Sequence, residues 1–427
     1  MALVVVSLPP NRTFADRCVS GEALPIPGVS DAQQTAAYWL ARLPRGEADR
    51  VLLSADKLRE LNRHLVAATS RYSELRQAPT SSLSTRRTDA RERLRIYRAE
   101  VEAGTLVVGA GALEESRARI DGMRRRDQAR VVFRETDLRC IPTDAAFLRP
   151  PVDPDFDRNR CSGVHPGEVV RVLGASLDGW LYVDVGFGSG WLRPTTLTPP
   201  LEEAAVQRFL GATDRLVLLA DVAPWRLGTS FPIVADRATE VVIEVPLAHG
   251  LGRATLPRTT PMARGYPPLT RAGVLRAAFS QLGAPYGWGD VDGRRDCSRL
   301  TLDVLGTFDV RLGRNSASQA KAGSAVIDVE GLDDAEKRSQ LTEAGQRGVV
   351  LLYMPGHIML YLGDDAGEPY ALSALSEYVV PCADKSERVL RPNRVVVSDL
   401  NLGRGTSRRS FLERITRLVI FGEPGPQ

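Results

Sequence analysis

A strand hairpin is written into residues 349–363, and it constrains this chain more than any other stretch. Val349-Val-Leu-Leu-Tyr-Met is apolar throughout, Pro355-Gly356 breaks it, and His357-Ile-Met-Leu-Tyr-Leu-Gly363 resumes the apolar run. Strands without polar alternation belong at the centre of a sheet that is covered on both faces. His357 opens the second strand, so rigid backbone would position its imidazole. A third strand, Pro369-Tyr-Ala-Leu-Ser373-Ala-Leu, would carry Ser373 beside it. Upstream lies Tyr286-Gly-Trp-Gly-Asp-Val-Asp-Gly-Arg-Arg-Asp-Cys297-Ser298. Behind Cys297, Leu300, Val304, Leu305 and Phe308 recur at helical spacing, and Asp296 and Ser298 suit a helix start. The spacing predicts a helix with Cys297 in its first turn. First-turn N–H groups and the helix dipole favour a thiolate there. A nucleophilic thiol needs a base, and His357 is the candidate.

Four blocks fall in order along the chain: Tyr286-Gly-Trp-Gly, Arg295-Asp-Cys-Ser298, Arg314-Asn-Ser-x-x-Gln319 and Pro355-Gly-His-Ile-Met-Leu-Tyr-Leu-Gly363. Together they resemble the NlpC/P60 family of cell-wall cysteine peptidases, and more narrowly its multidomain bacterial members with SH3-like domains ahead of the peptidase. The resemblance spans about residues 266–380 and extends more loosely over 126–265. It implies an α+β fold, with a papain-like NlpC/P60 catalytic domain at 266–427. Ahead of that domain it implies two small SH3-like β-barrels, 126–200 and 201–265, and a helical N-terminal segment, 1–125, that packs on the peptidase.

The resemblance also implies a reaction: cleavage of peptidoglycan stem peptides between D-glutamate and the diamino acid (diaminopimelate), with Cys297, His357 and Ser373 catalytic. Many members have His where Ser373 falls. A hydroxyl still bonds an imidazole nitrogen but tunes its basicity less, and Ser376 or Glu377 would take the place in a shifted register. By the same analogy Asp296 and Ser298 face the substrate's free amine or its D-Glu carboxylate. Arg314, Asn315 and Ser316 line that subsite, and the Tyr286 hydroxyl is a second oxyanion donor or a peptide contact. Two other readings use the same residues: a catalytically weak module that binds cell-wall peptides, and an acyltransferase or amidase. No cofactor and no metal are implied. The partners expected are stem peptides or muropeptides, with the barrels narrowing the groove toward short or free-amine ones, in the bacterial envelope or periplasm.

Composition sets looser bounds. A chain of 427 residues holds two to four domains. A net charge of +4 with no dense basic tail gives no reason to expect nucleic acid. Among 56 basic residues only Lys57, Lys321, Lys337 and Lys385 are lysines, a skew that reads as base composition rather than arginine chemistry. Five cysteines without a CxxC make zinc unexpected, and their odd number leaves one thiol unpaired within the chain. Cys140 and Cys161 would pair only in an oxidising compartment; burial is the commoner fate of lone cysteines. Cys382 reads as structural, without a partner. No apolar run reaches the roughly 18 residues of a membrane span. Ala2–Leu8 lacks a positive n-region and makes a poor signal peptide.

Along the chain, helices are expected at Asp31–Leu43, about Ser54–Leu75 and about Thr88–Glu102. Val107-Val-Gly-Ala-Gly reads as a turn and Arg124–Arg126 as a solvated helix end. Val131–Arg139 reads as a strand, and 149–167 as a long loop whose Asp157 and Arg160 reach toward the peptidase groove. Trp180 and Trp191 are expected in a core, and residues 201–265 in β form. His64, His165 and His249 are expected on the surface. Gly403-Arg-Gly-Thr-Ser-Arg-Arg409 looks like a phosphate loop in composition alone and is read as a turn, followed by an amphipathic helix, Ser410–Leu418.

Overall fold

A computed structural model of the chain describes residues 23–68, 75–77 and 81–423. Cys18, the apolar Ala2–Leu8 stretch and the end of the second expected helix lie outside the described residues. The hairpin forms as the sequence predicts: Val349–Met354 pairs antiparallel with His357–Asp365, and Met354 stands opposite His357. It is the centre of a six-stranded antiparallel sheet, in the order 325–328, 417–421, 349–354, 357–365, 368–375, 394–399.

The unbroken apolar runs follow from two covered faces. Leu351, Ile358 and Leu360 share a core with Leu300 and Val304 of the helix Cys297–Gly306. Leu352, Met359 and Tyr361 share the opposite core with Leu341 and Ala344 of the helix Asp334–Arg347. Each such side chain contributes about 1.5–3 kcal/mol through burial.

Ahead of this domain, Arg124–Val131 pairs with Val169–Ala175 in a six-stranded antiparallel sheet that runs to Leu192. Trp180 and Trp191 are fully buried on it. A five-stranded antiparallel sheet spans Arg215 to Arg264.

Several expectations are corrected. Arg124–Arg126 opens a strand rather than ending a helix, with its side chains in solvent. The 149–167 loop contains a further strand, Arg160–Val164. A helix, Glu203–Gly211, interrupts the β stretch, because Val206 and Phe209 lie three apart on one buried face. The final amphipathic helix is only Phe411–Arg414; Arg417–Phe421 is instead a strand inserted beside Val349–Met354. Cys140 and Cys161 form a disulfide, and Cys382 is also disulfide-bonded, so neither site is a lone thiol.

The N-terminal segment does not pack as one unit. Trp39 lies 5.3 Å from Tyr370 and Leu52 N–H donates to Leu269 O, so its first part rests on the peptidase-side domain. The helices Leu83–Glu102 and Ala112–Asp121 instead cover the first sheet, with Leu94, Leu113 and Ile120 packed on Trp180 and Trp191.

Buried charges lock the units together. Arg299 gives Nε to Asp303 at 2.8 Å and Nη2 to Glu168 of the first sheet domain at 2.7 Å. Arg295 gives Nε to the other Asp303 oxygen at 2.7 Å and both Nη atoms to Asp221 of the second, at 2.7 and 2.8 Å. All three residues of this core, Arg295, Arg299 and Asp303, are buried. Arg299→Ala leaves one oxygen each of Asp303 and Glu168 without its charged partner, and should cost about 3 kcal/mol. Urea unfolding of the variant would test this; a midpoint equal to that of the parent would contradict it.

Candidate active site

Cys297 is the first residue of its helix, and the Asp296 side chain caps that helix by accepting the Arg299 N–H at 2.8 Å. The sulfur is buried, and the backbone N–H groups of Ile358, the residue that follows His357, and of Ser298 lie near enough to favour its charged form. Thus the thiol touches the first turn of the histidine strand. The half-buried His357 ring holds the Ser373 hydroxyl at 3.2 Å through Nε2, and faces the Phe411 ring at 5.9 Å between centroids. No hydrogen bond joins sulfur and imidazole directly among the described residues; in unliganded sites such contacts commonly tighten only with substrate.

Asp296 sits among these groups. Its two oxygens accept from Arg299 N–H, Ser298 Oγ at 3.1 Å, Gly289 N–H at 3.1 Å, and Arg314 Nη1 and Nη2 at 3.0 and 2.8 Å. Arg314 also donates to Ser298 Oγ at 3.0 Å and, through Nε, to Ser162 of the first sheet domain at 2.7 Å. Asp296, Ser298 and Arg314 therefore form one mutually satisfied cluster. Tyr286 lies next to it: burial, then the neighbouring Cys297 and Asp296, pushes its ionisation well up. Asn315 lies outside the cluster. It is exposed and caps the short helix Ser316–Gln319 by accepting Ser318 N–H at 2.9 Å, while Ser316 opens that helix.

The electrostatics depart from the expected thiolate. Burial, then the Asp296 carboxylate, push the Cys297 thiol up to about 12, against the two N–H donors and Arg314. Burial, with the Arg414 charge, pulls His357 down to about 4, while Asp296 works the other way. At neutral pH the resting pair is thiol and neutral imidazole. The helix-end field is real, but it is weaker than the cost of burying a charge.

Sequence reasoning missed the support of the loop ahead of Cys297. His165, expected on the surface, is buried, and its Nε2 lies 2.5 Å from buried Asp290. Burial opposes charge on His165, yet Asp290 outweighs it and the imidazole is raised. Asp290 has φ +67°, a costly conformation that this contact holds. Gly163 allows the approach, since a Cβ there would meet the Asp290 carboxylate at 2.8 Å. The loop of the first sheet domain also reaches in: Trp288 Nε1 donates to Asp157 O at 3.0 Å, and Arg158 stacks 4.1 Å over the Trp288 ring. Arg160, the other residue expected to reach in, packs against Gly289. One signal in the sequence pointed to the buried charges: Arg299 and Asp303 lie four apart on a largely apolar helix, with Arg295 two residues ahead of its start. Among the described residues no group of His, Cys, Asp and Glu is placed to hold a metal.

A thiol-bearing helix laid on an antiparallel sheet, with a histidine opening the sheet's central hairpin strand, defines the papain-like α+β class. The comparisons narrow it. Residues 283–391 match the NlpC/P60 family, and residues 146–193 match the SH3 domain of SH3b1 type, so the chain carries an NlpC/P60 domain behind an SH3-like one. NlpC/P60 is a family of cell-wall peptidases, generally cysteine peptidases. In fold the chain is similar to an NlpC/P60 endopeptidase from Photobacterium damselae subsp. piscicida. The TM-score is 0.70 at 13% identity, over 95% of this chain and 100% of that one. An NlpC/P60 family protein from Bacillus cereus ATCC 10987 aligns with TM-score 0.46 and 17% identity, over 69% of this chain and 99% of that one. Among curated proteins no sequence matches the chain.

Cys297 is the one free cysteine among the described residues, so its ionisation can be read by alkylation. With the thiol raised, its rate with iodoacetamide should climb about tenfold per pH unit from 7 to 10. A rate that levels off below pH 8 would mean a preformed thiolate.

Proposed function

We propose that this chain is a cysteine endopeptidase that cleaves the bond between D-glutamate and a diamino acid in peptidoglycan stem peptides. One placement supports the reading above the rest: Cys297 and Ile358 share one core, which sets the thiol beside the residue next to His357. Since both groups rest neutral, the thiol proton passes to His357 as sulfur attacks the carbonyl, rather than beforehand. Asp296 favours the imidazolium that results, and that imidazolium returns the proton to the leaving amine. The Cys297 N–H, without an acceptor among the described residues, is free to donate to the oxyanion. Ser373 orients the ring from its far nitrogen. Tyr286 and the Asp296–Ser298–Arg314 cluster form the floor on the acyl side, with Asn315 and Ser316 at its outer edge. The first sheet domain closes that end of the groove through Ser162 and the loop at Asp157, which favours short stem peptides over intact wall. A place outside the reducing cytoplasm fits the disulfides at Cys140, Cys161 and Cys382. No helix of the described residues is long and apolar enough to cross a membrane.

The parent protein should release diaminopimelate from L-Ala-γ-D-Glu-diaminopimelate, and Cys297→Ala should release none. Binding of the tripeptide by both proteins without release by either would favour the binding-module reading instead. Ser373→Ala should lower kcat about 10- to 100-fold by freeing the ring. Because protonation disables His357 as base, and its basicity is depressed, kcat/KM should hold through weakly acidic pH and fall only near pH 4. An acid limb centred above pH 6 would contradict the buried, neutral imidazole.

A further inference from the structure

The Gly403–Arg409 turn and the short helix after it bring positive charge to the back of His357. Phe411, the first residue of that helix, faces the imidazole, and Arg414 lies three residues on, on the same face. Among the described residues neither Arg409 nor the half-buried Arg414 has an ion-pair or hydrogen-bond partner for its guanidinium. Arg408 is the partnered one, held by Glu377 at 2.6 Å; Glu377 also holds Arg391 at 3.3 Å, and Arg391 reaches Asp153 at 2.7 Å. Glu413, close to Arg409, gives its carboxylate to Ser410 in a capping box. Burial, then the like charges of Arg408 and Arg409, lower the proton affinity of Arg414.

An uncompensated cation beside the imidazole works against the imidazolium that acyl transfer must form. That cost is removed if an anion arrives with the substrate. The general acid must lie next to the leaving nitrogen, so groups behind His357 flank the leaving side of the groove. Arginine suits a carboxylate there, since its planar fork binds both oxygens. We propose that Arg414, with Arg409 beside it, is the subsite for a carboxylate of the leaving diamino acid, so that the substrate's own charge completes the site around His357. The assignment rests on the peptidase reading above and adds to it a preference for leaving groups with a free carboxylate.

The test separates the two. In the Cys297→Ala background, calorimetry compares L-Ala-γ-D-Glu-diaminopimelate with the same peptide carrying both diaminopimelate carboxylates as carboxamides. The acid should bind at least about tenfold tighter, the worth of one charged hydrogen-bonded contact. Adding Arg414→Gln should erase the difference, and Arg414→Lys should restore part of it, which a misfolded site would not do. Equal binding of acid and amide, equal weakening of both by Arg414→Gln, or binding of neither peptide overturns the subsite. Turnover is read separately with Cys297 intact. Release from neither peptide overturns the peptidase reading, whereas release from both with equal KM overturns the subsite alone.

Discussion

The helix that begins at Cys297, with Arg295 just ahead of it, carries charge that it cannot bury by itself. Arg295 and Arg299 divide the two oxygens of Asp303 between them, and this leaves several guanidinium N–H groups still without acceptors. Glu168 and the Gly163 carbonyl on one side, and Asp221 and Gln281 on the other, supply them. A buried ion network is poor evidence for net stability, because desolvation offsets most of its Coulomb gain. What it does secure is geometry, since a misplaced partner leaves a charge stranded. The two sheet domains are therefore part of what holds the thiol helix in place, rather than attachments to a finished enzyme.

The burial that fixes the helix also silences the chemistry at rest. Removing water disfavours charge on Cys297 and on His357 alike, so neither is ionised at neutral pH. Asp296 then acts with opposite sign on the two states of the reaction. It opposes a free thiolate and favours an imidazolium. Five hydrogen bonds fix that carboxylate in place. The field it exerts on the imidazole is therefore set before any substrate arrives.

The parts of this arrangement that were readable in the sequence are those decided by local spacing. The hairpin announced itself because both of its faces are buried, and the Cys297 helix because its cap and apolar stripe are contiguous. Partners far apart in sequence left no such trace. His165 reads as a surface residue in the sequence because nothing near it hints at Asp290, 125 positions away. The cysteines misled for the same reason. The helix expected over Ser410–Leu418 stops at Arg414, because the short apolar run Arg417–Phe421 has no periodicity to distinguish helix from buried strand; only its insertion between two non-adjacent strands decides the matter. The N-terminal segment divided between two supports because each of its apolar faces found a different core.

The loop ahead of Cys297 makes the acyl end of the groove a joint product of two domains. Its residues Asp290 and Asp292 hold left-handed backbone, which non-glycine residues adopt only when surroundings impose it. The imposing contacts come from the first sheet domain: His165 on Asp290, Gly163 beneath it, and the Asp157 carbonyl and Arg158 on Trp288. Ser162 completes them by holding Arg314. A change in that domain would therefore disturb the loop and one of the contacts that hold Arg314 without touching Cys297 or His357, although Asp296 and Ser298 hold the same guanidinium from within the domain that carries the thiol.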